Sequence, residues 1–532
     1  MRRIGVDVGG TNTDAVLLED GRVVHAVKTP TTADVTGGIV AALGLLTRHP
    51  EVARGGIEGV VIGTTHFVNA VVQRRQLSAV AAVRIGLPAS ASLPPFCDWP
   101  EDLAALVRGR VFMLEGGHEY DGREFMPFDE EGMRQAARQI RDGGIRSVGI
   151  AASFSPLDPS HEERAAAILA EECPEASITL SHELGRIGLL ERENAALLNA
   201  ALIDLARVTI AGFREAIAAS QIDAPLYITQ NDGTVMSAET AMALPVMSFA
   251  SGATNSMRGA AFLSGRDEAM VIDVGGTSTD VGQLRRGFPR EANSVVEIGE
   301  VRTLFRMPDL FSIGLGGGSI VHHGPPAPSL APIARHAGGT PAVQVGPHSV
   351  GYRLTEEALV FGGNTLTATD AAVVAGIVRI GEPAKAAGVP RELARAVLDL
   401  AQAKLEDAID RMKTEAGDVP LIAVGGGAFL VPETLAGVSE VIRVAHGDCA
   451  NAVGAAIAQI SGETDQVYRE MRREDAIAAA EAQAVERAVA SGADRASLQI
   501  VDVEDMPLAY LPGNALRVRV RVAGELQGPA QR

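Results

Sequence analysis

The sequence predicts an α/β fold built from two related halves, each with one glycine-rich turn between two strands. The octet DVGGTNTD at residues 7–14 returns as DVGGTSTD at residues 273–280, and the two differ only at Asn12 against Ser278. The composition agrees, because 46% hydrophobic and 4% aromatic residues are typical of an α/β protein rich in Ala, Val and Gly. Strand and helix patterns that alternate along the chain indicate the same class.

The N-terminal elements have the predicted order βββαβα. Three strand-forming runs, RIGVDV, TDAVLLED and RVVHAVKT, follow one another across short turns, which predicts consecutive antiparallel strands. Apolar spacing then predicts a helix over 33–47, a buried strand over 59–65 and a helix that begins at His66. The first half continues with two strands and a long Ala- and Leu-rich helix, over 145–154, 176–183 and 193–219.

A second half begins near residue 266. A helix of small residues over 252–265 precedes it, and the strand, glycine turn, strand pattern then returns over 268–287. Beyond it the patterns predict a Pro/Gly/His-rich loop over 322–348, a helix over 391–414 and a strand over 420–430. A helix over 449–460 and a charged helix over 465–491 follow, and two more strands end the chain. Because 532 residues exceed one ordinary core, we expect three parts, at 1–255, 256–461 and 462–532.

Charge and cysteine content exclude several classes of protein. The 47 basic and 66 acidic residues give a net charge of −19, which repels nucleic acid. The three cysteines have no CxxC spacing, so neither a disulfide framework nor a zinc site is expected. The N-terminus has no signal-peptide pattern, and apolar runs such as 371–378 are too short to span a bilayer. We therefore expect a cytoplasmic protein that binds neither nucleic acid nor membrane.

The repeated octet predicts a pair of phosphate-binding turns. Paired glycines allow the backbone to approach a ligand closely, and consecutive amides with threonine hydroxyls form an anion cradle. Two cradles that face each other across a cleft would bind a polyphosphate from both sides. The residues assigned to nucleotide binding on this basis are Gly9, Gly10, Thr11, Asn12, Thr13, Gly275, Gly276, Thr277, Ser278 and Thr279.

The four carboxylates of the octets form the predicted catalytic set. Asp7 and Asp273 each end a strand directly before the glycines, and we assign them to the shell of a Mg²⁺ ion, through water. Asp14 and Asp280 would position a water or a substrate oxygen. A salt bridge or a strand-end cap is an alternative for these two.

Five motifs, in order, resemble the actin, hexokinase and heat-shock chaperone superfamily. IGVDVGGTNTD and VIDVGGTSTDV are similar to its two phosphate motifs, GATNSMRGAAF and NAVGAAIAQI to its two connecting helices, and IAVGGGAFLVP to its adenosine motif. The resemblance implies duplicated actin-like ATPase domains of the ribonuclease H-like type, with ATP and Mg²⁺ in a cleft between them. It also adds three glycines to the nucleotide site, Gly425, Gly426 and Gly427.

Within that superfamily the chain resembles the ATP-binding, A-type subunit of the hydantoinase/oxoprolinase family. The motifs that support this are GTTHFVNAVVQRR, SHELGRIGLLERENAALLNA, SIGLGGGSI, VGPHSVG and TLTATDAAVVAG. The chain departs from the family at YRLTEEALVFGGNTLTATD, where members often have a Pro-Gly-Pro-Ala-Cys-Tyr-Gly run. The resemblance implies ATP-dependent ring opening of a cyclic amide such as a hydantoin, oxoproline or lactam, a B-type partner subunit, and a homo- or hetero-oligomer. It also makes Gly317 and Asp370 probable neighbours of the site.

Three further polar residues are candidates for substrate contact. His66 and Asn69 lie three positions apart at the start of a predicted helix, where an anion or a capping role alone explains them equally. His118, in the loop GGHEYDGRE, could contact substrate or a second metal, although an ordinary surface turn explains it better.

Two other functions share every phosphate motif. A small-molecule kinase of the sugar-kinase type would release a stable phosphorylated product without a partner chain. A non-catalytic ATPase switch would couple ATP to domain closure. The sequence contains no local signature of a separate Ser/His/Asp or Cys/His hydrolytic centre, which favours the two-subunit hydrolase.

Overall fold

The computed structural model describes residues 1–9, 11–31, 35–50, 52, 55–185, 187–292, 295–304, 307–323, 343–509 and 513–527. The strands are β1 (Arg2–Val8), β2 (Asn12–Glu19), β3 (Arg22–Pro30), β4 (Gly59–Thr64), β5 (Val80–Leu87), β6 (Arg108–Glu115), β7 (Ser147–Ala152), β8 (Ser177–Leu180), β9 (Leu226–Thr229), β10 (Thr234–Ser237), β11 (Ala269–Val274), β12 (Thr279–Arg285), β13 (Phe288–Pro289), β14 (Val296–Ile298), β15 (Val301–Thr303), β16 (Leu310–Ile313), β17 (Ser319–His323), β18 (Val343–Ser349), β19 (Val419–Val424), β20 (Val438–Arg443), β21 (Gln459–Tyr468), β22 (Gln499–Pro507) and β23 (Leu516–Gly524).

The helices include one of 31 residues, α6, which forms much of the interior. They are α1 (Val35–Leu46), α2 (His66–Val72), α3 (Glu101–Val107), α4 (Glu130–Asp142), α5 (Ser160–Glu172), α6 (Leu189–Ala219), α7 (Ala238–Ala243), α8 (Ser251–Ser264), α9 (Leu354–Glu357), α10 (Ala368–Ala375), α11 (Arg391–Met412), α12 (Ala450–Ala456) and α13 (Arg473–Ala490). The predicted order βββαβα at the N-terminus is confirmed. The predicted loop at 322–348 lies largely outside the described residues.

Two mixed sheets repeat one pattern. In the first sheet β1 pairs antiparallel with β2 and parallel with β4, and in the second β11 pairs antiparallel with β12 and parallel with β19. The first sheet has nine strands in the order β22-β23-β21-β10-β9-β4-β1-β2-β3, and the second runs β13-β12-β11-β19-β20 with β16 on β12. Each therefore places one octet between its first two strands, as the repeat in the sequence predicts.

Each sheet has its own hydrophobic core. In the first sheet, Ile4 of β1 and Ile62 of β4 pack with Leu43 of α1 and Phe213 of α6, and all four are fully buried. In the second, strands β11 and β19 pack against α11. By length and composition α6 is apolar enough to cross a membrane, but 72% of its most apolar stretch is buried inside the protein, so it is a core helix here.

A third, wholly parallel sheet lies between β4 and β9 in the chain. Its order is β6-β5-β7-β8, with α3, α4 and α5 as the connections. Open parallel sheets of this kind place polar loops at the carboxyl ends of the strands. His118, discussed below with the candidate site, lies in such a loop.

The C-terminal segment corrects two predicted helices. The helix expected over 449–460 ends at Ala456, and the charged helix expected over 465–491 begins only at Arg473, because β21 occupies Gln459–Tyr468. Alternate residues of β21 are buried, which is the strand period. Strands β21, β23 and β22 extend the first sheet, so the proposed boundary at residue 461 falls within β21.

The two predicted connecting helices, α8 and α12, pack directly against each other. A methyl group on Gly259 would lie 2.0 Å from the carbonyl oxygen of Ala450, and one on Gly454 would lie 1.8 Å from that of Asn255. Only glycine permits this approach. The small residues predicted at the helix crossing are therefore the ones in contact.

Candidate functional site

The two octets form the same turn. In each, the first glycine amide donates to the carbonyl oxygen three residues on, from Gly9 to Asn12 at 3.0 Å and from Gly275 to Ser278 at 2.9 Å. Strand pairing sets Asp7 opposite Asp14 on neighbouring strands, and Asp273 opposite Asp280. The repeat in the sequence is thus a repeat in backbone geometry. Gly10 lies outside the described residues.

The two turns meet face to face. A methyl group on Gly276 would lie 2.8 Å from the Oγ1 atom of Thr11, so the second octet packs directly on the first. Because each turn belongs to a different sheet, this contact joins the two halves of the chain.

Two other glycine-rich loops complete the wall around the second octet. The Gly317 amide donates to the carbonyl oxygen of Gly275 at 3.0 Å, and the Gly427 amide donates to that of Val274 at 2.7 Å. Gly425 has φ +89°, and a methyl group there would lie 2.2 Å from Asp273 Oδ1. The structure therefore brings Gly317 and the glycines at 425–427 to the second octet. A methyl group on Gly426 would meet no atom within 4 Å, so this residue faces open space.

The four aspartates lie within electrostatic range of one another. Loss of hydration raises the pKa of Asp7 to about 7, and repulsion by Asp14 and Asp273 adds to the shift. Loss of hydration also raises the pKa of Asp273 to about 6, and repulsion by Asp280 and Asp14 adds to the shift. Burial also raises the pKa of Asp14 and of Asp280. Asp7 and Asp14 are buried, whereas Asp273 and Asp280 are partly exposed to the cleft.

Three side chains that the sequence interpretation missed support these carboxylates. Lys28 Nζ lies 2.7 Å from Asp14 Oδ2, so the salt bridge considered for Asp14 is present. Asn451 of α12 donates to Asp7 Oδ2 at 3.2 Å, and the Ser312 hydroxyl donates to Asp280. Lys28 of β3 lies directly opposite Asp14 of β2, so the pairing register of the predicted strands could have identified Lys28. Asn451 and Ser312 belong to other elements, and the sequence carries no signal for their contacts.

The carboxylates fit a Mg²⁺ ion that also binds phosphate. Across the described part of the chain, no group of three or more His, Cys, Asp or Glu side chains is arranged to hold a metal ion alone. Magnesium usually takes one or two carboxylates, with phosphate oxygens and water as the remaining ligands. Asp14 Oδ1 is buried and has no hydrogen-bond partner among the described residues, and a cation would relieve the repulsion that raises these pKa values. Asp7 and Asp273 are the residues that would hold it.

A polar cavity of about 470 Å³ opens beside the first octet. Its lining includes Gly9 and the polar side chains of Thr64, His66 and Asn69. Burial lowers the pKa of His66, so its imidazole is neutral at neutral pH. Thr65 occupies the N-cap position of α2, and Asn69 donates to its hydroxyl at 3.2 Å. The structure therefore brings both predicted substrate residues to the first phosphate turn.

Two family patterns match the chain in succession. The hydantoinase/oxoprolinase N-terminal region matches residues 3–173, and the hydantoinase/oxoprolinase pattern itself matches residues 192–388. The chain belongs to the hydantoinase/oxoprolinase family. The predicted family is thus confirmed, and both octets lie within the matched ranges.

The chain is similar to subunits of enzymes whose names designate different substrates. The chain is 26% identical over 506 residues to caprolactamase subunit alpha of Pseudomonas jessenii, which covers 84% of this chain and 69% of the relative. It is 26% identical over 409 residues to the acetophenone carboxylase gamma subunit of Aromatoleum aromaticum, which covers 70% of this chain and 53% of the relative. The chain thus spans about half to two thirds of these relatives.

Solved structures of the family have the same fold. The ATP-dependent caprolactamase from Pseudomonas jessenii superposes with a TM-score of 0.74 at 20% identity, over 99% of this chain and 88% of the other. A nucleotide-free acetone carboxylase superposes with a TM-score of 0.70 at 18% identity, over 99% and 89%. The predicted α/β class is confirmed, and each of the two mixed sheets contains the repeated strand, turn, strand unit.

Asp370, which the family resemblance places near the site, stabilises the start of a helix. Its buried carboxylate accepts hydrogen bonds from the amide and hydroxyl of Thr367, both at 2.8 Å, and from the amide of Val360 at 2.8 Å, which caps the start of α10. The neighbouring residue joins α10 to the candidate site, because the Thr369 hydroxyl donates to the carbonyl oxygen of Gly317 at 2.8 Å. Asp370 therefore fixes the helix that holds the Gly317 loop against the second octet.

His118 lies in the parallel sheet, at the carboxyl ends of its strands. The centre of its ring lies 4.4 Å from that of His161 with the two rings tilted by 42°, its Nε2 atom lies 3.6 Å from Asp158, and its amide donates to the carbonyl oxygen of Ser153 at 3.1 Å. Burial lowers the pKa of its imidazole. Its contacts belong to this sheet, and the structure does not place it with the octets.

Proposed function

We propose that this chain is the ATP-binding subunit of a hydantoinase/oxoprolinase-type enzyme that activates a cyclic amide by phosphorylation. The observation that carries the proposal is the meeting of two glycine turns that differ at one residue, with four buried or half-buried carboxylates and a cavity beside them. The caprolactamase and the acetone carboxylase among its structural neighbours are both described as ATP-dependent.

The turns would bind the phosphates of ATP from both sides. Backbone amides and the hydroxyls of Thr11 and Thr277 would donate toward the phosphates, and Gly425 to Gly427 would border the nucleoside. Thr13 and Thr279 are fully buried, and the Thr279 hydroxyl donates to the carbonyl oxygen of Leu315 at 2.6 Å, so these two stabilise the turns instead. Magnesium, when bound, neutralises charge on the phosphates. Asp7 and Asp273 are the residues that would hold it, and Lys28 fixes Asp14 beside them.

Phosphorylation makes the amide carbonyl electrophilic. The carbonyl oxygen forms a bond to the γ-phosphorus while the bond to the β-phosphate oxygen breaks and ADP leaves. Water then adds to the carbonyl carbon, the ring C–N bond breaks with a proton passing to the ring nitrogen, and an acyl phosphate is left. A second water attacks the carbonyl carbon of this acyl phosphate, and inorganic phosphate departs with the former carbonyl oxygen. His66 and Asn69 lie where they can donate to the carbonyl in the cavity, and correct positioning provides most of the rate enhancement.

A partner subunit would complete the ring opening. The chain carries no recognised second hydrolytic centre, and the names of two relatives designate subunits of larger enzymes. We therefore propose a B-type partner and a hetero-oligomer. A reducing cytoplasmic location agrees with the free Cys97, Cys173 and Cys449.

The test follows phosphate release and ring opening together, for the purified chain with and without a B-type subunit. A panel of hydantoin, 5-oxoproline, caprolactam and acetone is offered with Mg-ATP. Stimulation by a cyclic amide, with ring opening only in the presence of the partner, supports the proposal. Ketone-dependent carboxylation moves it to the carboxylase members, and a stable phosphorylated alcohol or sugar formed by this chain alone replaces it with a kinase.

Asp273→Ala provides the matched active-site variant for this assay. It removes a carboxylate at the cleft without touching the hydrophobic core, and we expect substrate-stimulated ATP hydrolysis to fall to background. Asp142→Asn, on the surface of α4 with 69% of its side chain exposed, is the control that keeps full activity. Wild-type turnover by Asp273→Ala would remove this octet from the active site.

A further inference from the structure

The cavity beside the first octet has a mouth rich in hydrogen-bond donors. Gln73, Arg75 and Gln76, at the end of α2 and just beyond it, are exposed and line this mouth, whereas the half-buried His66 and Asn69 share the lining of the cavity with Gly9. Every one of these five side chains donates hydrogen bonds. No carboxylate occurs among the described residues that line the cavity.

The two consecutive arginines, Arg74 and Arg75, have different surroundings. Arg74 is tied into the fold, because its Nε lies 3.0 Å from Asp102, its Nη2 lies 3.4 Å from Glu300, and its Nη1 donates to Val71. Arg75 lines the cavity, and its guanidinium has no ion-pair partner in the part of the chain that the structure describes.

An unpaired arginine is significant in a chain of this charge. The net charge of −19 repels anions, so a cavity that binds an anionic substrate needs a local positive group. A guanidinium binds a carboxylate through two parallel hydrogen bonds. A ring without a carboxylate offers the Arg75 guanidinium no such partner.

We propose that this cavity selects cyclic amides that carry a carboxylate, and that Arg75 is the residue that binds it. The inference rests on the proposed function, because the amide carbonyl is placed at Gly9, where the phosphoryl group arrives. The carboxylate then lies at the mouth with Arg75, and the two glutamines bind polar ring atoms. The chain therefore prefers an oxoproline-like acid to a plain lactam or an alkyl ketone.

A matched substrate pair tests this selection. The probes are 5-oxoproline and 2-pyrrolidinone, which share one ring and differ only in the carboxylate, and the readout is the KM for stimulation of ATP hydrolysis. We expect the KM for 5-oxoproline to be lower by about tenfold or more, as for a site built around a bidentate ion pair. Arg75→Gln should raise that KM by about the same factor and change the value for 2-pyrrolidinone far less.

Arg74→Gln is the control, because it removes the same charge one position away, outside the cavity. It should leave the preference for 5-oxoproline intact, and its melting temperature reports any loss of fold. Equal KM values for the two probes, or an equal effect of Arg75→Gln on both, would overturn the inference and leave the proposed function standing. If no cyclic amide of any kind stimulated hydrolysis, both would fail.

Discussion

Gly276 of the second octet lies directly against the side chain of Thr11 of the first, where an added methyl group would come within 2.8 Å of the hydroxyl. This contact is the point at which the two sheets of the chain meet at their phosphate turns. The distance between the turns, and so the space for a polyphosphate, depends on the absence of a side chain at Gly276.

A double-mutant cycle can measure this contact. Gly276→Ala should destabilise the nucleotide-bound protein, because the new methyl group forces the turns apart, whereas Thr11→Ala removes the atoms that it meets. In the double variant the two effects should not add, with a coupling of about 1 kcal/mol in the free energy of unfolding with Mg-ATP bound. Thermal denaturation with and without Mg-ATP provides the measurement. Strictly additive effects would show that the turns do not touch.

The raised pKa values predict how the stability of the nucleotide-free protein depends on pH. Asp7 and Asp273 titrate near 7 and near 6 in the folded chain and near 3.8 when unfolded. Their protonated forms therefore stabilise the folded state fully below about pH 4, and that contribution is lost as pH rises through 6 to 7. Asp7→Asn mimics the protonated form and should flatten the decline in melting temperature between pH 5 and pH 8. The exposed-site variant Asp142→Asn should keep the wild-type slope, and an identical slope in Asp7→Asn would contradict the assignment.

Close packing of the connecting helices predicts that their glycines do not tolerate a side chain. Gly259→Ala places a methyl group 2.0 Å from the carbonyl oxygen of Ala450, so α8 and α12 must move apart. We expect a loss of about 1–3 kcal/mol in the free energy of unfolding, measured by urea denaturation, and a parallel loss of turnover.

Gly44→Ala, in the last turn of α1, is the matched control for that helix crossing. A methyl group on Gly44 would meet no atom within 4 Å, so its replacement should be neutral or slightly stabilising. Equal effects of the two variants would mean that the α8–α12 crossing is not tightly packed.

Lys28 should stabilise the fold through Asp14. The ammonium group balances a buried carboxylate at 2.7 Å, and Lys28→Met leaves that charge unpaired. Because a third of the lysine side chain is exposed, we expect a loss of about 1–3 kcal/mol at neutral pH rather than the larger cost of a fully buried pair. The exposed pair Lys385–Glu382 is a control, and Lys385→Met should cost less than about 1 kcal/mol. A similar small cost for both lysines would show that Asp14 is solvated.

The local parts of the fold and site could be predicted, and the long-range parts could not. The octets with their aspartates and the βββαβα order depend on short patterns, which periodicity and turn chemistry identify. Asn451 supports Asp7 through a contact between residues more than a hundred positions apart in the chain. Ser312 supports Asp280 only because β16 pairs with β12, and the sequence does not indicate that pairing. Likewise the prediction of helix at both ends of β21 is wrong, because its mixed polar sequence acquires its buried face only by pairing with β10 and β23.

The central claim, that ATP phosphorylates the carbonyl oxygen of a cyclic amide, is tested most directly by isotope transfer. The chain, together with a B-type subunit, is given 5-oxoproline labelled with ¹⁸O at the ring carbonyl, and the released inorganic phosphate is examined by mass spectrometry. If the carbonyl oxygen attacks the γ-phosphorus, each ring opening delivers one ¹⁸O atom to phosphate. Phosphate without label, with the ¹⁸O retained in the opened product, would contradict the account.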